Sequence, residues 1–248
     1  MLSKDGVPMV LHDIHLDSTT NVGELFPDRA RADGRYYAID FTLTELRTLR
    51  AHERRQPDGS RVYAGRFPAT SGLSPIPTLE EEILLIEGLN QTSTHQAGLY
   101  IELKGFQFHA QHGQDIARAV LQVLKALGWD QRTRDVYLQS FEPRALRYLK
   151  NELGTPLPLI QLLADNSWDE DGAVDYDALR TRMGLEDIAS YASGIGPWLM
   201  QLYQGKDSTG KPILSDLARN ARDFGLLIHP YTVRADQLPP GISDLEEL

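Results

Sequence analysis

Two hydrophobic periods alternate along this chain from about residue 78 onward. Short, mostly apolar runs predict buried strands, and longer segments with apolar residues three and four positions apart predict amphipathic helices. Strands are predicted within residues 97–105, 135–142, 157–165, 193–202 and 226–234. Helices are predicted within residues 78–89, 113–128, 142–154, 184–192 and 214–225. The alternation of strands and helices predicts parallel βαβ units.

Capping residues support two of these helices. Thr78 with Glu81 three positions later forms a capping box, and Gly128 stands where a helix C-terminal cap belongs. The apolar stripes of the two helices are Leu79, Ile83 and Ile86, and Ile116, Val120, Val123, Leu124 and Leu127.

The first 77 residues are less regular. Residues 7–11 predict a strand that follows a Lys4-Asp5-Gly6 hairpin turn. Residues 41–49 predict a short helix, with Thr42 or Thr44 as its cap and with Leu46 and Leu49 facing inward. Residues 65–78 predict a loop.

The predicted architecture is a (β/α)8 TIM barrel, and an open doubly wound sheet is the alternative. No Gly-x-Gly-x-x-Gly turn follows a strand, which disfavours a dinucleotide-binding sheet. Polar residues cluster at the predicted strand ends: His12-Asp13, Glu102, Lys104, Gln139–Glu142 and His229–Arg234. A barrel gathers all its strand ends around one mouth, so this distribution favours the barrel.

Composition and charge exclude several kinds of protein. The 248 residues carry 35 acidic and 25 basic side chains, and a net charge of −10 disfavours nucleic-acid binding. No apolar run is long enough to span a membrane, and no signal peptide is visible. The chain has no cysteine, which excludes disulfides and thiolate metal sites.

Tyr100, Glu102 and Lys104 occupy alternate positions and would share one face of a strand. Two charges on a buried face are unfavourable unless they are paired or bind a metal. Glu102 is therefore a candidate metal ligand and Lys104 a candidate phosphate-binding group. A structural Glu–Lys ion pair at the strand end is the alternative.

His12 and Asp13 follow directly after the apolar run. A neutral imidazole beside an attacking or leaving oxygen can act as general acid or base, whereas a loop carbonyl could equally hold it. His15 and Asp17 make the motif look like a metal cluster. On an extended chain His12 and His15 would face opposite ways, so we do not expect His15 and Asp17 to be ligands.

Two more histidines, His109 and His112, lie just beyond the Glu102 strand. We expect them in a loop at the rim of the barrel mouth.

The segment KDGVPMVLHDIHLDSTTNV (residues 4–22) resembles the second signature block of the glycerophosphodiester phosphodiesterase family. YIELK (residues 100–104) resembles its Glu-x-Lys strand, and LQSFE (residues 138–142) its next strand. The resemblance is closest to the bacterial periplasmic members and covers nearly the whole chain. It extends through FPDRARADGRYYAIDFTL, the EEEI…GLN helix, GIGP and HPYTVR.

The resemblance implies one TIM-barrel domain over residues 1–248, with an insertion at 21–77. It implies hydrolysis of glycerophosphodiesters to sn-glycerol 3-phosphate and an alcohol, with a role in glycerol and lipid metabolism. It implies a divalent cation, Ca²⁺ before Mg²⁺, periplasmic location and a small-molecule substrate, and it leaves a homodimer open. His12 would be one of two catalytic histidines, Glu102 a metal ligand and Lys104 a phosphate neighbour. Phe141 and Tyr231 would line the mouth.

Three family features are not found in these 248 residues: the His-Arg-Gly strand with the other catalytic histidine, the Glu-x-Asp strand and the closing Thr-Asp-x-Pro strand. The resemblance therefore implies an incomplete barrel that lacks its first strands and its last strand. The alternatives are a noncatalytic surface or ligand-binding protein on the same scaffold, or a barrel hydrolase of phosphoinositides or sphingolipids. The close match of HPYTVR and FPDRARADGRYYAIDF disfavours the second.

We predict that the 248-residue chain alone does not hydrolyse glycerophosphocholine, because part of the implied site is not among its residues. The measurement is release of glycerol 3-phosphate by the purified chain with added calcium. Turnover above a heat-inactivated sample would contradict this prediction.

Overall fold

The structure is a computed structural model that describes residues 1–56, 58–63, 74–168, 170, 172–234, 238 and 242. It consists of two compact units. The N-terminal unit comprises Met1–Leu99 and Leu103–Trp129, and the sheet unit comprises Tyr100–Glu102 and Asp130–Leu248. The expectation of one domain with an insertion at 21–77 stays a prediction.

The N-terminal unit is built from helices and irregular segments around a buried cluster that includes Leu16, Phe41 and Leu46. Its α-helices are α1 (Val22–Leu25), α2 (Leu43–Leu46), α3 (Leu79–Thr92), α4 (Phe106–Gln111) and α5 (Ile116–Ala126). Short 3-10 helices cover Pro27–Arg29 and Ala38–Asp40.

The predicted caps of this unit are present. The Thr42 and Thr78 side chains accept from the backbone N–H groups of Glu45 and Glu81, and each glutamate reaches back to its threonine. Thr42, and not Thr44, therefore begins α2. Gly128 follows α5 with a φ of 72°, a left-handed conformation that favours glycine. Capping residues therefore located the starts of α2 and α3 and the end of α5.

The strand predicted at residues 7–11 is wrong as a regular strand. Pro8 and Met9 instead form single antiparallel bridges, to Leu2 and Thr78 respectively. Each partner pairs at one position only, and Pro8 has no N–H to extend the ladder. The Lys4-Asp5-Gly6 turn is present, with the Gly6 N–H 3.0 Å from the Ser3 carbonyl oxygen.

The sheet unit contains a five-stranded sheet in the order β1-β2-β3-β4-β7. The strands are β1 (Leu99–Glu102), β2 (Val136–Ser140), β3 (Leu159–Leu163), β4 (Gly194–Pro197), β5 (Tyr203–Lys206), β6 (Pro212–Leu214) and β7 (Leu227–Ile228). The α-helices are α6 (Pro143–Arg147), α7 (Tyr176–Arg180), α8 (Arg182–Ala189) and α9 (Asp216–Asp223). A π-helix covers Tyr148–Glu152, and 3-10 helices cover Asn166–Trp168 and Leu199–Gln201.

Pairing is parallel from β2 to β3, from β3 to β4 and from β4 to β7. β3 is buried along its whole length, including the polar Gln161 at the centre of its otherwise apolar run. Parallel strands joined by helices confirm the α/β class and form part of a barrel-type sheet.

Two glycines let β4 approach its neighbours closely. A Cβ added at Gly194 would lie 2.7 Å from the Leu227 Cβ, and one at Gly196 would lie 2.5 Å from the Leu162 Cδ2. Real Cβ atoms do not approach other atoms so closely. The GIGP segment therefore fixes the spacing of β3, β4 and β7.

The sheet is strongly curved. Tyr100 on β1 and His229 after β7 belong to opposite edges, yet the Tyr100 hydroxyl lies 2.8 Å from the His229 Nδ1. In a flat five-stranded sheet the outer strands would be about 19 Å apart. The sheet must therefore curl so that its edges approach one another, as the strands of a barrel do.

Some elements differ from the sequence prediction. The segment around Tyr100 is not a buried strand, because β1 is an edge strand and Tyr100 is 43% exposed. The last strand covers two residues only, and Tyr231 adds a single bridge to Trp198, because Pro230 offers no N–H. The antiparallel β5-β6 pair, α4 and α7 were not predicted. The predicted loop at 65–78 lies largely outside the described residues.

Among the described residues, no helix combines the length and the apolar character that a membrane crossing requires.

His109 is buried in α4, which corrects the expectation of a rim position. Its Nδ1–H donates to the Gly105 carbonyl oxygen at 2.6 Å, and its Nε2 accepts from the Leu2 N–H at 3.0 Å. Only the neutral imidazole can make both bonds at once, because Nε2 must be unprotonated to accept. Burial also favours the neutral form and lowers the pKa of His109 to about 4. His109 thereby ties the first residues of the chain to α4.

We predict that this histidine makes the protein less stable in mild acid. The His109 imidazole takes up a proton near pH 6.5 in the unfolded chain and only near pH 4 in the folded chain. Its contribution to the free energy of unfolding is therefore fully present above pH 6.5 and is lost as the pH falls from 6.5 to 4. At pH 5 the loss should be about 2 kcal/mol relative to pH 7.5. The measurement is urea unfolding at both pH values for wild type and His109→Gln.

The free energy of unfolding of His109→Gln should be lower than that of wild type at pH 7.5, but it should fall less between pH 7.5 and pH 5. His95→Gln changes an exposed histidine and should show the same pH-dependent loss of stability as wild type. An unchanged difference in His109→Gln would refute the assignment.

Candidate functional site

Two groups of candidate residues lie in the two units. Glu102, Phe141 and Tyr231 belong to the sheet unit, and His12 and Lys104 belong to the N-terminal unit. The predicted convergence of all five residues in one pocket stays a prediction.

In the sheet unit, the candidate residues follow the carboxyl ends of strands. Glu102 ends β1, Phe141 follows β2, and Tyr231 lies three residues after β7. The rings of Phe141 and Tyr231 meet edge to face, with centroids 5.7 Å apart. The Tyr231 hydroxyl donates to the Leu163 carbonyl oxygen at 2.8 Å, which anchors the ring at the end of β3.

The charges around Tyr231 connect it to Glu102. Burial is the main cause that raises the pKa of Tyr231, and the carboxylates of Glu170 and Glu102 raise it further, while Arg180 acts in the opposite direction. The Glu102 carboxylate is therefore close enough for Tyr231 to sense its charge. The rings of Phe141 and Tyr231 are in contact, and the placement of Glu102, Phe141 and Tyr231 in one substrate site stays a prediction.

Glu102 provides only part of a metal site. Ca²⁺ binds six to eight oxygen ligands, and Mg²⁺ binds six in octahedral geometry. Across the described ranges, no group of three or more His, Asp or Glu side chains is placed to hold a metal ion. These residues therefore do not form a cation site by themselves, and Glu102 remains a predicted ligand.

In the N-terminal unit, His12 forms a short contact with its neighbour in sequence. Its Nδ1 lies 2.6 Å from Asp13 Oδ1, while 68% of the His12 side chain is exposed. Arg54 contacts the other carboxylate oxygen of Asp13 at 2.5 Å. Burial opposes ionisation of Asp13, but its hydrogen bonds to His12 and Arg54 prevail and hold its pKa well below the usual range. Asp13 is therefore a carboxylate that accepts from both neighbours.

The other residues of the HDIHLD motif have structural partners. Asp17 accepts from Arg35 Nε at 2.8 Å. His15 packs edge to face against Tyr37, with ring centroids 4.6 Å apart, and burial lowers its pKa. The expectation that His15 and Asp17 are not metal ligands stays a prediction.

Lys104 lies two residues beyond β1, in the segment between β1 and α4. It therefore does not continue the strand face that Tyr100 and Glu102 share. The sequence analysis predicted that Tyr100, Glu102 and Lys104 share one strand face. The strand contains only Tyr100 and Glu102.

Sequence reasoning missed two groups. Tyr100 stacks on Tyr137 at 5.4 Å, and His229 meets the Tyr137 ring edge to face at 5.2 Å, next to the Tyr100–His229 hydrogen bond. The alternate positions of Tyr100 and Glu102 were the available signal for this group. The second group is Arg54 with Asp13, which are 41 positions apart and give no local sequence signal.

Comparisons with known proteins identify the family to which this sequence is similar. A family model described as the glycerophosphoryl diester phosphodiesterase family matches residues 1–246. A glycerophosphodiester phosphodiesterase of Haemophilus influenzae is 37% identical over all of this chain and 72% of its own length. One of Treponema pallidum is 36% identical over all of this chain and 74% of its length.

Among solved structures, one from Silicibacter pomeroyi that is assigned to the glycerophosphoryl diester phosphodiesterases superposes with a TM-score of 0.66. The two sequences are 23% identical, and the superposition covers 94% of this chain and 71% of the Silicibacter pomeroyi chain. At this identity the likeness supports the fold alone, and it agrees with the barrel-type sheet.

Proposed function

Because the chain belongs to the glycerophosphoryl diester phosphodiesterase family, we propose that its residues take part in the hydrolysis of glycerophosphodiesters to sn-glycerol 3-phosphate and an alcohol by histidine acid–base catalysis. The observation that carries the histidine part is the His12–Asp13 pair, with an exposed imidazole held by an ionised carboxylate.

The pair defines what His12 can do. An ionised carboxylate can only accept hydrogen bonds, so the Asp13 contact at 2.6 Å places the proton of a neutral imidazole on Nδ1. The Nε2 atom then carries a lone pair on a mostly exposed side chain. Such an atom can take a proton from an attacking hydroxyl group and release it to a leaving alkoxide.

The other assignments rest on the resemblance together with position in the fold. We keep a divalent cation as the proposed cofactor, Ca²⁺ before Mg²⁺, with Glu102 as one ligand and Lys104 near the phosphate. The position of Glu102 at the carboxyl end of β1 supports its role. Phe141 and Tyr231 would line the substrate site. Periplasmic location and a homodimer rest on the resemblance alone.

We predict that Glu102→Gln lowers the affinity for calcium at least about tenfold. Replacing a residue that only hydrogen-bonds to a metal ligand already lowers metal affinity by about this factor, and replacing a ligand should lower it at least as much. The measurement is calorimetric titration with calcium of a preparation that binds calcium, either this chain or a longer one that contains it. Glu152→Gln is the matched control, since Glu152 is exposed on the π-helix. Equal affinities in the two variants would exclude Glu102 as a ligand.

We predict that His12→Gln lowers kcat about 10²- to 10⁴-fold, the range of a general acid or base. The assay needs a preparation that hydrolyses glycerophosphocholine, either this chain or a longer one that contains it. His95→Gln, at an exposed position, should keep the parent rate. A His12→Gln enzyme with the parent rate would exclude His12 as the general acid or base.

A further inference from the structure

We propose that Arg54, in the segment predicted as an insertion, is a positioning residue for His12 and acts through Asp13. The inference rests on the proposed function for its catalytic meaning, but the contacts themselves do not. It assigns to the segment at residues 21–77 the role of orienting a proposed catalytic side chain.

The first step is the contact between Arg54 and Asp13. One Arg54 terminal nitrogen lies 2.5 Å from Asp13 Oδ2 and 3.2 Å from the Ser18 hydroxyl oxygen. Asp13 is 21% exposed and Arg54 35% exposed, so water screens this pair less than a fully solvated one. The guanidinium group stays charged at any physiological pH and thereby keeps Asp13 ionised.

The second step is the orientation of the carboxylate. Arg54 takes one oxygen of Asp13 and His12 takes the other, at 2.5 and 2.6 Å. A carboxylate held at one oxygen cannot rotate freely, so the other oxygen keeps its direction toward the His12 Nδ1. Without Arg54 the group could turn and present either oxygen to water.

The third step is the support of Arg54 itself. The backbone around it is bound to the segment that follows the HDIHLD motif: His52 N–H donates to the Thr19 carbonyl oxygen at 2.8 Å, and Arg55 N–H donates to the Ser18 carbonyl oxygen at 3.0 Å. These two bonds flank Arg54. The guanidinium group is therefore delivered from a backbone that is fixed next to Asp13.

The consequence concerns the imidazole tautomer. A neutral histidine has two tautomers, and the hydrogen bond of one nitrogen selects which form is present. The Arg54–Asp13–His12 chain selects the form with the proton on Nδ1 and leaves Nε2 as a proton acceptor. Loss of Arg54 should weaken that selection without changing any atom of His12.

The test is ¹⁵N NMR of the His12 ring in the folded 248-residue chain at a pH where the imidazole is neutral. We expect the Nδ1–H tautomer to dominate in wild type and its excess to be lost in Arg54→Met, which keeps an apolar stem. Arg54→Lys, which restores a cation, should recover part of the excess. Arg55→Met is the matched control and should leave the His12 shifts unchanged.

Three results would overturn the proposal: wild type dominated by the Nε2–H tautomer, an unchanged His12 spectrum in a folded Arg54→Met chain, or an equal effect of Arg55→Met. If Arg54→Met does not fold, Asp13→Asn provides the same readout, because its amide can donate to Nδ1 and should reverse the tautomer.

The tautomer does not depend on turnover. Failure of this test is therefore distinct from failure of the catalytic role, which the rate of His12→Gln measures.

Discussion

The close parallel packing of β3, β4 and β7 is the constraint on which the sheet unit depends. Gly194 allows β4 to approach the Leu227 backbone of β7 more closely than a Cβ would permit, and the fully buried β3 lies at the centre of the sheet. Parallel strands in fixed register end at the same edge. Phe141 and Tyr231 therefore meet because of the backbone arrangement, and the Glu102 charge reaches Tyr231 for the same reason.

A buried polar network reinforces that edge. Gln161 lies within β3 with no exposure, and its amide nitrogen donates to the Phe141 carbonyl oxygen at 3.0 Å. The Tyr191 hydroxyl donates to the Gln161 side-chain oxygen at 2.9 Å, so both ends of the buried amide are bonded. Such a network avoids the cost of an unpaired polar group and fixes the end of β2 relative to β3. The candidate Phe141 is thus held through its backbone.

Local signals account for what the sequence predicted well. Thr42, Thr78 and Gly128 act within one turn of their helices, so their caps are readable from neighbouring residues. The pairing of residue 9 with residue 78 and the burial of His109 under Leu2 depend on distant partners. No short pattern encodes such contacts. The same holds for the contact of Arg54 with Asp13, whereas Glu102, Phe141 and Tyr231 could be proposed as site residues because strand ends and the family resemblance mark them.

The HDIHLD motif shows why spacing alone is a poor guide to metal binding. Its two carboxylates each accept from an arginine of the segment predicted as an insertion, Asp13 from Arg54 and Asp17 from Arg35. Partly exposed ion pairs of this kind add little stability, so their main effect is to fix direction. A carboxylate already committed to a guanidinium group is a weak ligand but a good orienting group for a neighbouring imidazole. Arg54 thus shares the Asp13 carboxylate with His12, whereas Arg35 binds the Asp17 carboxylate.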